Sequence, residues 1–78
     1  MTGFELWIKA CEEYGTKIFC LDEHGETGLY KTWNEYEFNH YFYRTPPVFH
    51  VWNGDKRIYC GLSYQEAERM YQRCQKES

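Results

Sequence analysis

Apolar positions near the N-terminus recur at the three- and four-residue intervals of a helix: Phe4, Trp7, Ile8 and Cys11. Thr2 and Glu5 have the spacing of a capping box, in which a side-chain oxygen accepts from the backbone N–H three positions later. We therefore predict a first helix over about residues 3–14, ended by Gly15.

The next segment alternates between apolar and polar positions, as strands do. Within residues 16–32, Phe19 and Leu21 would share one side of a strand, because side chains two positions apart point the same way. Charged residues and a glycine at 23–26 predict the turn of a β-hairpin.

Thr32 and Glu35 repeat the capping-box spacing, and we predict a second helix through residues 33–43. Alternation over 36–42 is also compatible with a strand. The two prolines at 46–47 end the segment, because the residue before a proline favours extended geometry.

Asn53-Gly54 lies between two apolar runs and is the clearest hairpin signal in the chain. A two-residue turn there would place Phe49 and Val51 on the core side of the sheet. The other side would then carry a candidate recognition patch: His50 facing Arg57, Trp52 facing Asp55, and Tyr59 facing Val48. The alternative is that a helix partly covers this side.

Ser63 and Glu66 form a third capping-box pattern ahead of the last apolar stripe. The stripe predicts a helix over about residues 64–76: Tyr64, Ala67, Met70, Tyr71 and Cys74. Residues 18–44 and 49–75 then resemble two ββα units in one domain spanning 1–78. The predicted fold is α+β, with an N-terminal helix, a four-stranded mainly antiparallel sheet and the helices packed on one face.

Aromatic residues make up 21% of the chain, as eight Tyr, five Phe and three Trp. Large rings help a chain of 78 residues to build a core. Each tyrosine hydroxyl also needs water or a hydrogen-bond partner, so many of these rings should lie at the surface. Aromatic side chains that keep one edge of the ring exposed to solvent are typical of binding surfaces.

The charge is divided unevenly along the chain. Residues 1–39 carry eight acidic and three basic side chains, net −5, whereas 40–78 carry four and six, net +2. The sequence has no dense run of Lys or Arg, so direct binding of nucleic acid gets little support. The acidic half is suited instead to a basic protein partner, for example in a nucleic-acid-binding complex.

The sequence shows no signal-peptide pattern and no apolar run of membrane-spanning length, so we expect a cytoplasmic protein without membrane contact. Its cysteines should be reduced and buried, and their wide spacing does not match a structural zinc site: Cys11, Cys20, Cys60 and Cys74. Cys60 and His50 would lie on opposite sides of the sheet, which removes that catalytic pairing. We expect no metal, no cofactor and no enzyme activity.

The function expected from these features is that of a non-enzymatic protein-binding module. A small phage or mobile-element inhibitor or regulator of a host defence complex, acting by stoichiometric contact, fits the size and charge. The alternative is a single-stranded nucleic-acid-binding module that uses sheet-face aromatics. A homodimer through exposed strand edges is also compatible with the sequence. The predicted contact residues are Tyr43, His50, Trp52, Arg57 and Tyr59, with Glu35 and Glu37 as acidic steering groups.

Overall fold

The computed structural model describes residues 2–77, without the side chains of residues 76 and 77. Its helices and strands, in chain order, are α1 (Gly3–Glu13), β1 (Lys17–His24), β2 (Thr27–Trp33), β3 (Glu35–Phe38), β4 (Tyr41–Arg44), β5 (Val48–Asn53), β6 (Lys56–Gly61) and α2 (Tyr64–Glu77). Four strands form an antiparallel sheet in the order β1-β2-β5-β6, and β3 pairs with β4 in a separate hairpin. The α+β class and the four-stranded antiparallel sheet are confirmed.

Both terminal helices begin at the capping residues that the sequence indicates. The Thr2 hydroxyl accepts from the backbone N–H of Glu5 at 3.1 Å, and the Ser63 hydroxyl accepts from that of Glu66 at 3.2 Å. Gly15 has a φ of 70°, in the left-handed region that glycine adopts at low cost after a helix. No helix of the described residues is long and apolar enough to cross a membrane.

The predicted helix over 33–43 is wrong, because this segment forms the β3–β4 hairpin. Asn39 and His40 have φ values of 51° and 70°, as a type I′ two-residue turn requires. Thr32 lies in β2, and its hydroxyl is 2.9 Å from Nε2 of His50 on β5 instead of capping a helix. The predicted first ββα unit is therefore absent from the described residues, because β3 and β4 stand where its helix was expected.

The two helices lie on opposite faces of the sheet, which corrects the expectation of a single helical face. On one face, Leu29 and Val51 form the buried core with side chains of α2: Ala67 and Tyr71. On the other, Phe4 and Trp7 of α1 pack against rings whose strand positions alternate with that core: Tyr30, His50 and Trp52. The sheet is consequently covered on both sides.

The register between β5 and β6 also differs from the expected one. Asn53 pairs with Lys56 and Trp52 with Arg57, and an irregularity follows before Val51 pairs with Tyr59. Asp55 lies in the turn, where its carboxylate accepts from the backbone N–H of Phe4 at 3.0 Å and links the turn to α1. The shift moves Tyr59 to the α2 face of the sheet.

Candidate functional site

The β3–β4 hairpin exposes every side chain of its two strands. Its register pairs Tyr36 with Tyr43 and Phe38 with Tyr41, so these four rings share one side, which we call the aromatic face. The exposed fractions of these rings are 53% for Tyr36, 62% for Phe38, 68% for Tyr41 and 42% for Tyr43. The opposite side, the mixed face, carries Glu35, Glu37, Phe42 and Arg44.

A small group of polar residues, the polar joint, fixes the base of the hairpin to the sheet. The backbone N–H of Asn34 donates to the Thr45 hydroxyl at 2.8 Å, and the N–H of Thr45 donates to the Asn34 carbonyl at 2.9 Å. The Asn34 side-chain amide donates to the Thr16 hydroxyl at 3.1 Å, just before β1. These bonds position the hairpin without burying its rings.

Contacts within the hairpin connect its two strands. The Tyr36 and Tyr43 rings stack with centroids 5.4 Å apart, and Nε of Arg44 is 3.3 Å from a Glu35 carboxylate oxygen. The Trp33 indole N–H donates to the same carboxylate at 3.1 Å. An isolated two-stranded hairpin is only marginally stable in water. These contacts and the polar joint therefore help to keep the hairpin folded.

The predicted contact residues do not form one patch. Tyr43 lies on the aromatic face, whereas Glu35 and Glu37 lie on the mixed face. His50 and Trp52 are only 5% and 7% exposed, because α1 covers them. The exposed recognition patch expected on this side of the sheet is therefore not present.

The last two predicted contact residues lie on different sides of the sheet. Arg57 is exposed beside the covered face, and its guanidinium carbon is 5.8 Å from the centroid of the Trp52 ring. Tyr59 is half-buried on the α2 side, where its hydroxyl is 3.2 Å from a Glu66 carboxylate oxygen. The shift in the β5–β6 register accounts for their separation.

Cys60 and His50 face each other across β5 and β6, which corrects the expectation that they lie on opposite sides. Burial, followed by the nearby Arg57 charge, lowers the pKa of His50 to about 4. Its Nε2 is already engaged by the Thr32 hydroxyl at 2.9 Å. A neutral imidazole of such low basicity is poorly matched to general-base chemistry near neutral pH.

Only one of the four cysteines is buried. Cys11 lies on the buried side of α1, Cys74 is half-buried, and Cys20 and Cys60 are exposed, so the expectation of buried thiols is wrong for the exposed pair. Partial desolvation of the sulfur and the Glu23 charge raise the pKa of the Cys20 thiol, which keeps it protonated and less nucleophilic. Among the side chains that the structure describes, no three potential ligands from His, Cys, Asp and Glu are grouped closely enough to hold a metal ion.

The rings that dominate the hairpin are ones that the sequence analysis did not propose as contacts: Tyr36, Phe38, Tyr41 and Phe42. The alternation of apolar and polar residues over 36–42 indicated a strand. The capping-box spacing of Thr32 and Glu35 favoured a helix instead and led to the wrong prediction. Comparisons of the chain with models of protein families, with curated proteins and with solved structures found no match. Its function must therefore be inferred from its own surface.

Proposed function

We propose that the chain is a non-enzymatic protein-binding module whose contact surface is the aromatic face of the β3–β4 hairpin. The observation that carries this proposal is the set of four exposed rings on one side of a projecting hairpin: Tyr36, Phe38, Tyr41 and Tyr43. A small protein that binds in this way can act as a stoichiometric inhibitor or regulator of a larger complex, such as a host defence complex targeted by a phage or mobile element.

The size and composition of the aromatic face suit a protein partner. At roughly 200 Å² per aromatic side chain, the four partly exposed rings present about 450 Å² of largely apolar surface. This is within the range of the largest apolar patches on soluble proteins, which often mark interaction sites. Three of the rings are tyrosines, which combine apolar area with a hydroxyl and are frequent among residues that dominate binding energy.

The nucleic-acid alternative relied on aromatics of the four-stranded sheet. Trp52 is buried beneath α1, so it offers no platform on which a base could stack. The exposed hairpin carries Glu35 and Glu37 on its mixed face, and carboxylates repel phosphates. A protein partner therefore fits the exposed aromatics better.

The proposal can be tested with a double variant at the end of the hairpin, Phe38→Ser with Tyr41→Ser. Partner capture from a lysate of the encoding organism should fall by about 30-fold, the equivalent of roughly 2 kcal/mol for lost contacts that dominate binding. Tyr14→Ser is a matched control, because Tyr14 is 81% exposed at the end of α1. This control should capture the same protein as the original chain, and both variants should keep their circular dichroism spectrum.

Two results would contradict the proposal. One is undiminished capture by the hairpin double variant. The other is a shift of labelled single-stranded oligonucleotides by the original chain at physiological salt, which would favour the nucleic-acid alternative.

A further inference from the structure

We propose that the β3–β4 hairpin inserts end-on into a cleft of its protein partner, so that both of its faces are contacted, and that the rim of this cleft is basic. This inference rests on the proposed function and specifies the shape and charge of the partner.

The first observation is that apolar surface is present on both sides of the hairpin. Phe42 lies on the mixed face, is 81% exposed and is opposite Glu37 in the register. A flat partner surface laid on the aromatic face would leave the Phe42 ring in water. A cleft with two walls would bury Phe42 together with Phe38 and Tyr41.

The second observation is the area required for specific binding. Stable interfaces bury about 800 Å² on each partner, which is nearly twice the roughly 450 Å² that the aromatic rings of one face present. Contact with Phe42, the mixed face and the turn at Asn39-His40 adds to this area. Two-sided contact therefore comes closer to the area of a stable interface than one-sided contact does.

The third observation is that the molecule is elongated. Its radius of gyration is 13.7 Å, whereas a compact chain of this length would have about 11.5 Å, and its longest dimension is 49 Å. The two-residue turn gives the hairpin a narrow end, and strands of four residues extend it by roughly 14 Å. A narrow projection of this kind can enter a cleft without collision of the sheet.

The charge of the hairpin indicates the chemistry of the cleft rim. Glu35 pairs with Arg44, whereas Glu37 has no ion-pair partner among the described residues. The hairpin therefore presents one uncompensated negative charge on a chain whose net charge is −3. Basic side chains at the rim would match this charge and steer association.

A second copy of the chain is a poorer occupant. Two aromatic faces packed together would bury only about 450 Å² of ring surface on each copy, and both Phe42 rings would remain exposed. Each copy also carries a net charge of −3, so association would bring like charges together. The area and the charge both favour a different, basic protein.

Site-specific photocrosslinking tests the two-sided contact. A benzophenone-bearing phenylalanine analogue is placed at Tyr41 on the aromatic face, at Phe42 on the mixed face, or at Tyr14 as a control, in the full chain. After irradiation in a lysate of the encoding organism, the Tyr41 and Phe42 positions should give adducts with the same protein, each about ten-fold above the Tyr14 position.

The possible outcomes separate this inference from the proposed function. Adducts from Tyr41 without adducts from Phe42 would overturn the cleft and leave the aromatic face as a flat contact. Adducts from neither position would overturn both proposals. Adducts with a second copy of the chain or with nucleic acid would replace the partner class that we propose.

The basic rim has its own test, in which partner binding is measured as a function of salt. Glu37→Gln should weaken binding several-fold and reduce its salt dependence, because one attractive charge is removed. Glu12→Gln on α1 is the control, since Glu12 is exposed on another element and should leave binding unchanged. Equal salt dependence in the original chain and in Glu37→Gln would overturn the basic rim.

Discussion

Two groups of aromatic residues in this molecule have opposite surroundings. The α1 cluster comprises Phe4, Trp7, Tyr30, His50 and Trp52. The Phe4 and Trp7 rings of α1 contact each other and the three sheet rings, with centroid distances of 4.9–5.8 Å. The aromatic face of the hairpin has four rings that remain exposed. Aromatic content alone therefore does not distinguish a core from a contact surface; the presence of a covering layer does.

The α1 cluster is covered because α1 packs on one face of the four-stranded sheet. α1 crosses the face that carries Tyr30 and Trp52, and Asp55 holds the first turn of the helix in place through the Phe4 N–H. The hairpin leaves the sheet at Asn34 and returns at Thr45, so its two strands lie beyond this cover. None of the described residues covers its aromatic face, which is therefore open to contact by another molecule.

The largest difference should be in how much a substitution in each region lowers the free energy of unfolding. Trp52→Ala removes a buried ring that contacts Phe4 and Trp7, and it should lower the free energy of unfolding by about 3–5 kcal/mol. Phe42→Ala on the hairpin should change it by no more than about 0.5 kcal/mol, as exposed positions do. Urea denaturation measures both values, and similar losses in the two variants would mean that the hairpin belongs to the core.

A smaller effect should follow from the buried histidine of the α1 cluster. Burial and the Arg57 charge lower the pKa of His50 from 6.5 to about 4 in the folded chain. Above pH 6.5 the imidazole is neutral in both states, and the full stability is present. As the pH falls from 6.5 to about 4, the unfolded chain binds a proton that the folded chain resists, so stability is progressively lost.

The loss attributable to His50 should be about 1–3 kcal/mol. Denaturation of the original chain and of His50→Gln at a series of pH values measures it. The variant should lack this part of the pH dependence. Parallel stability curves for the two proteins between pH 6.5 and 4 would show that His50 does not contribute.

A loss of stability smaller than that expected for Trp52→Ala should come from the polar joint. Asn34→Ala removes the hydrogen bond to the Thr16 hydroxyl and should lower the free energy of unfolding by about 1 kcal/mol. Backbone amides of β3 and β4 should exchange with solvent faster, whereas amides of β5 and β6 serve as the internal control. Unchanged exchange in the hairpin would mean that Tyr36–Tyr43 stacking and the Glu35–Arg44 pair are sufficient to order it.

The predictions that proved correct depend on nearby residues. Thr2 and Ser63 begin their helices as capping residues, and the turn between β1 and β2 lies within the predicted 23–26 segment. The same capping spacing at Thr32 and Glu35 was misleading, because the Thr32 hydroxyl bonds across the sheet to His50. A local pattern cannot distinguish a cap from a strand residue whose partner lies 18 positions away.

Of the predicted contact residues, Tyr43, Glu35 and Glu37 lie on the hairpin that we propose as the binding site. His50 and Trp52 were expected at the surface because they alternate with the core residues Phe49 and Val51. Alternation identified the two sides of β5 correctly, since Val51 is buried against α2 and Trp52 points away from it. It could not show that α1 covers the second side.

The sequence by itself determined where the terminal helices begin, which segments form the strands of the main sheet, and which residues alternate on β5. These features depend on hydrogen bonds and side-chain directions within a few positions of the chain. Only the tertiary structure decided that α1 buries Trp52 while the hairpin leaves Tyr41 and Phe42 in solvent. The reason is that burial depends on contacts between elements far apart in sequence, such as Phe4 with Asp55, which no local pattern contains.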